Sequence, residues 1–112
     1  MARKESPIFT KTYDFLLWLQ SHVDNFPKNE RFRTAKRLED SAFLFYELLM
    51  EAVYSKKPRE FLLKSDFELK KLRFYLRNSH DRDLTKIRQY EYASNALMEI
   101  GKLLGGWLKS AS

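Results

Sequence analysis

Apolar residues recur along this chain at three- and four-residue steps, in four stretches separated by short breaks. In the first, Ile8, Phe15, Leu16, Leu19, Val23 and Phe26 fall on one face of a helix over 7–26. Ser6 stands at its N-cap, and Pro7 takes the first helical position, where a missing N–H costs nothing. Pro27 ends it. Ala35, Leu38, Ala42, Phe45, Leu49 and Val53 predict a second helix over 30–55, capped by Asn29 and broken by Lys56-Lys57-Pro58. Leu62, Leu69, Leu72 and Leu76 mark a third over 59–78. Asp81 or Asp83 opens a fourth over 83–108, with Tyr90, Ala93, Leu97, Ile100, Leu104 and Leu108 on its buried face. Helices this long, joined by links this short, must alternate in direction. The expectation is one all-α domain over 1–112, an up-down-up-down antiparallel four-helix bundle.

Some apolar positions exceed what a lone bundle needs. At 100° per residue, Leu63, Phe67 and Phe74 form a second stripe on helix three, well apart from its leucines. Helix two carries Leu44 and Leu48 away from its core line. A second stripe calls for a second partner, and association between subunits supplies one; the alternative is a core wide enough to absorb these residues. Gly101, Gly105 and Gly106 near the end of helix four cost roughly 1 kcal/mol each against alanine. Close approach of a neighbouring helix, or a helix end, would offset that.

Composition narrows the chemistry. With no cysteine there are no disulfides and no thiolate-based zinc sites, as expected of a cytoplasmic protein. The apolar run Phe15-Leu16-Leu17-Trp18-Leu19 is far short of the ~20 residues that cross a bilayer, so no membrane role is expected. The net charge is +6, and its distribution matters more than its size. Alternating helices bring residues 22–40 and 70–91 to one end of the bundle. Twelve basic and seven acidic residues fall in those two spans, which leaves +5 of the total there. Lys70, Arg73 and Arg77 stand at i, i+3 and i+7 near the end of helix three, where its dipole favours them. Arg31, Arg33, Lys36 and Arg37 instead crowd the predicted start of helix two, where each cation is disfavoured by ~0.3–1 kcal/mol. Arg33, Lys36 and Arg37 share one face. Rows of cations at this pitch suit a phosphate backbone, RNA or DNA; a solvated basic face and an acidic protein partner are the other readings.

Catalytic sets are thin. His22, on the edge of helix one's apolar stripe, has no second histidine or Glu-x-x-His partner, so it reads as a hydrogen-bonded histidine beside the core. No Gly-rich phosphate loop and no metal-ligand cluster is present in the sequence, and no cofactor is expected. Arg73 and His80 match the loose Arg-x4–6-His spacing of the four-helix HEPN ribonucleases. That family usually has a polar residue after the arginine, where this chain has Phe74, and His80 falls in a predicted loop.

Two segments carry a family likeness. Leu69-Lys70-Lys71-Leu72-Arg73-Phe74-Tyr75-Leu76-Arg77 resembles the third-helix segment of the accessory variability determinant proteins of diversity-generating retroelements. Glu99-Ile100-Gly101-Lys102-Leu103-Leu104-Gly105-Gly106-Trp107 is similar to that family's fourth-helix ending, in which arginine commonly replaces Lys102. Thr12-Tyr13-Asp14-Phe15-Leu16-Leu17 and Phe26-Pro27-Lys28 add to the likeness. The four-helix proteins encoded in 23S rRNA intervening sequences share the fold and much of the pattern. The thin catalytic sets lead to the expectation of a non-catalytic protein that works by binding, and the resemblance implies a homopentameric barrel with a basic surface. It also implies binding to a reverse transcriptase and to nucleic acid, in support of mutagenic cDNA synthesis from a template-repeat RNA. It carries Arg73 and Arg77 over as contacts to those partners.

Overall fold

The computed structural model of the protein describes residues 6–111, and among them every regular element is helical. Four helices follow one another: α1 (Pro7–Val23), α2 (Thr34–Tyr54), α3 (Pro58–Asp81) and α4 (Ile87–Ser110), with a 3-10 turn at Lys28–Glu30 after the first. Cross-helix pairs fix their directions. The start of α1 meets the end of α4 through Phe9 and Trp107, while His22 at its far end meets Thr85 just before α4. Across α2 and α3, Thr34 bonds Arg82 and Ser41 bonds Glu68. Across α3 and α4, Arg59 reaches the Leu108 carbonyl and Arg73 that of Leu97. Each helix runs antiparallel to its neighbours in a square bundle 43 Å long, with α1 and α3 on one diagonal.

The predicted stripes are the core. Leu19, Leu38, Leu49, Leu62 and Leu104 are fully enclosed, and Phe26, Val53, Tyr90 and Leu108 close its ends half-buried. Each fully enclosed leucine contributes roughly 1.5–3 kcal/mol by leaving water, and such burial is what holds four helices of modest propensity together. Phe9 and Thr12 are also buried, one helical turn before the predicted stripe is dense. Of the second stripe, Leu63, Phe67 and Phe74 are exposed by 51%, 60% and 65%, and Leu44 by 42%. Leu48 departs from expectation: α2 and α3 pack most closely of all pairs, and Leu48 is buried between them. Together Leu44, Leu48, Leu63 and Phe67 line an apolar groove bordered by Lys64, Glu68 and Lys71.

Helix ends differ from the predicted ones for local reasons. α1 stops at Val23 rather than 26, its last carbonyls taken up by Asp24, Asn25 and Phe26 N–H groups. α2 begins at Thr34 rather than 30, with Arg33 at its N-cap instead of Asn29, because residues 28–30 wind into the 3-10 turn that points Glu30 inward. α3 continues to Asp81 and closes in a Schellman motif: Leu84 N–H donates to Ser79 O, and Asp83 N–H to His80 O. Asp83 holds the left-handed position at φ 62°. Asp81 and Asp83 therefore finish α3 instead of opening α4, whose N-cap is Lys86, its N–H bonded to the Gln89 side chain.

The glycines divide. A Cβ on Gly101 would lie 2.8 Å from Arg73 Nη2, so this glycine makes room for a guanidinium, not for a neighbouring backbone. Among the described residues, nothing beyond the local turn of α4 itself lies within 4 Å of where Gly105 or Gly106 would carry a Cβ, and α4 runs on past both.

Candidate nucleic-acid interface

The basic end is built on a buried carboxylate. Glu30, 3% exposed, accepts from Arg82 through both oxygens, at 2.8 and 2.7 Å, and the same guanidinium donates to Thr34 Oγ1 at 2.8 Å. Those charge-assisted hydrogen bonds hold the Glu30 carboxyl down at about 2 and raise Arg82. Arg33 adds a longer contact to Glu30 at 3.7 Å. One residue of α3's ending thus fastens both sides of the short turn between the 3-10 element and α2.

Around this lock the structure gathers Phe32, Arg33, Thr34, Arg37, Asn78 and Arg82 into one open cleft. Phe32 is 80% exposed, the most of any large apolar side chain described. The Arg37 guanidinium lies over the Tyr75 ring at 5.9 Å, which steadies it without neutralising it. Neither Phe32 nor Arg82 was among the candidates that charge rows suggested. The sequence signal was there in Arg31-Phe32-Arg33, an aromatic residue set between cations.

The predicted contacts are only partly brought together. Arg33 and Arg37 share the cleft. Arg31 precedes α2 and faces the other way, into a depression with Asp24, Lys28 and Glu39. There burial, and then the neighbouring Asp24 and Asp40, raise the Glu39 carboxyl. Lys36 pairs with Asp40 at 2.7 Å, Arg77 with Asp81 at 3.8 Å, and Lys70, midway along α3, with Asp66 at 3.5 Å. These are exposed pairs within one helix, each worth about 0.3–0.5 kcal/mol, so a phosphate can displace the carboxylate. Of their carboxylates, Asp40 and Asp81 are already counted in the +5, whereas Asp66 lies outside those spans. Arg73 turns away from the row and donates to Leu97 O on α4 at 3.1 Å.

Both histidines are structural in their contacts. His22, buried and stacked on Trp18, bonds Thr85 Oγ1 through Nε2 at 2.8 Å. Ser79 gives its proton to Leu76 O, so Thr85 donates to Ser79 and His22 Nε2–H donates to Thr85. Burial lowers the His22 pKa. His80 lies in the last turn of α3, not in a loop, on the same face as Arg73 and two turns on. Its Nδ1–H donates to Thr85 O at 2.8 Å and its ring stacks on Tyr90 at 4.7 Å. Arg73 and His80 are thus each engaged with the α4 side of the bundle, about 10 Å apart along the helix axis. Among the described residues no group of three His, Cys, Asp or Glu could hold a metal ion, and no helix is long and apolar enough to cross a membrane.

Comparison with known proteins gives two findings. The model of the bAvd-like family matches residues 7–111. A crystal structure of a protein of unknown function from the S23 ribosomal protein family of Bacteroides thetaiotaomicron superposes with a TM-score of 0.80 at 19% identity, covering 92% of this chain and 99% of that one. That likeness shows the fold. None of the curated proteins searched matches the chain.

Proposed function

Because the chain belongs to the bAvd-like family, we propose that it is a non-catalytic accessory protein of a diversity-generating retroelement. In this reading it works in the cytoplasm without a cofactor. It joins the element's reverse transcriptase to nucleic acid and so supports mutagenic cDNA synthesis from template-repeat RNA. The family match over nearly the whole chain carries the reading. The charge gathered at one end of the bundle, with Arg33, Lys36, Arg37 and Arg77 open to solvent, gives it a physical means. Leu44, Leu63, Phe67 and Phe74 are the surface through which copies would associate, and the family likeness makes that assembly a homopentamer. Five copies would carry +30, enough to make binding to a polyanion steeply salt-dependent.

Arg33, Lys36 and Arg37 changed together to glutamate should weaken binding of labelled RNA at least about tenfold and flatten the dependence of log K on log salt. Helicity should not change. Wild-type-like affinity in that variant would take these residues out of the site. Co-purification with the reverse transcriptase separates this reading from an RNA-binding protein of the 23S rRNA intervening-sequence type, which would bind RNA without it.

A further inference from the structure

The cleft around Phe32 is a different kind of surface from the apolar groove between α2 and α3. Its ring stands in water, yet its neighbours in the cleft are Arg33, Arg37, Arg82, Thr34 and Asn78, all polar. An apolar protein surface closing over Phe32 would strand those guanidinium groups away from water, which is costly. A flexible nucleotide satisfies both kinds of neighbour, a base face for the ring and phosphates for the cations. The turn is also fixed in advance. Glu30 and Thr34, two residues to either side of Phe32, are both bonded to Arg82, so the turn that carries the ring is already held and only the side chain's own rotation is left to order.

We propose that this cleft is a subsite for single-stranded nucleic acid, in which one unpaired base stacks on Phe32 while Arg33 and Arg37 hold the flanking phosphates and Asn78 meets the base edge. A duplex keeps its base faces stacked inside and cannot use the ring. The inference rests on the nucleic-acid reading above and adds strand type and a stacking residue to it.

The test measures fluorescence anisotropy of a labelled RNA of about 12 nucleotides, single-stranded and annealed, with the full chain and its variants. Phe32→Ala should weaken single-strand binding about tenfold or more, leave duplex binding unchanged and leave the salt slope as it was. Phe32→Trp should restore the affinity, and Arg37→Ala should lower the slope by about 0.7. Circular dichroism and light scattering on each variant report folding and assembly. Equal loss on single strand and duplex, no loss at all, or no rescue by Trp overturns the subsite while nucleic-acid binding stands. A change in assembly mass with Phe32→Ala also overturns it, because the ring would then belong to a contact between copies. If the wild-type chain binds neither probe at low salt, the broader reading fails first.

Discussion

At Glu30 the sign of the pH dependence follows from the lock it makes. Its carboxyl sits at about 2 in the folded protein, against 4.5 unperturbed. The unfolded chain therefore takes up a proton first as pH falls. The stability that Glu30 contributes is present above about 4.5 and drains away toward 2. His22 acts in the same direction at higher pH: burial lowers its pKa below 6.5, so acid favours the unfolded form there too. Urea midpoints measured from pH 7 to pH 3 should fall in wild type and fall less steeply below 4.5 in Glu30→Gln. Equal steepness would mean that Arg82 does not set the Glu30 carboxyl. The Glu30 lock was not legible in the sequence, where Glu30 is one acid among cations and its partner lies 52 positions away. Hydrophobic periodicity says where a helix faces, not which charged residue turns inward. His22 was legible as a satisfied histidine because the apolar residues around it, Leu19 and Phe26, fixed its depth.

Helix faces were read well from the chain and helix ends poorly, for different physical reasons. A buried face repeats over five or six turns, so a single odd residue does not change it. An end depends on a few hydrogen bonds that residue types only suggest. Asp83 is the instructive case, since aspartate caps helix starts but also tolerates the left-handed position that closes a Schellman motif, and here it does the second. The glycines of α4 make a test at this scale. Gly101→Ala gains helix propensity of about 1 kcal/mol but displaces the Arg73 guanidinium from the Leu97 carbonyl, so it should be close to neutral. In an Arg73→Ala background the same change should stabilise by about 1 kcal/mol. Gly105→Ala, with open space around it, should stabilise by a similar amount in either background. Denaturant unfolding of this cycle decides it: additive Gly101 and Arg73 effects would show that the two residues are not coupled.

For the whole molecule, the bundle and the segregation of its charge were legible, since both follow from four alternating helices. What the cations touch was not. Lys36, Lys70 and Arg77 find carboxylates within their own helices, Arg73 is drawn to α4, Arg31 faces a different depression, and of the predicted contacts Arg33 and Arg37 alone line the cleft at Phe32. Spacing along one helix is blind to what the neighbouring helix offers. The second apolar stripe was legible apart from Leu48, which the tight α2–α3 packing covers. Charging that surface tests the proposed assembly. Leu63→Asp with Phe67→Asp should reduce the particle mass in light scattering while the helical signal stays, since both side chains are more than half exposed within one chain. An unchanged mass would move the subunit contact elsewhere.

An even number of alternating helices returns the chain to the side from which it set out. Ser6 and Ala111 accordingly lie together at the pole away from Phe32, on the same side as the short link between Tyr54 and Pro58. A fluorescent protein, an affinity handle or a surface tether attached at Ser6 or Ala111 would start from the end opposite the cationic tip and leave that tip open to a polymer.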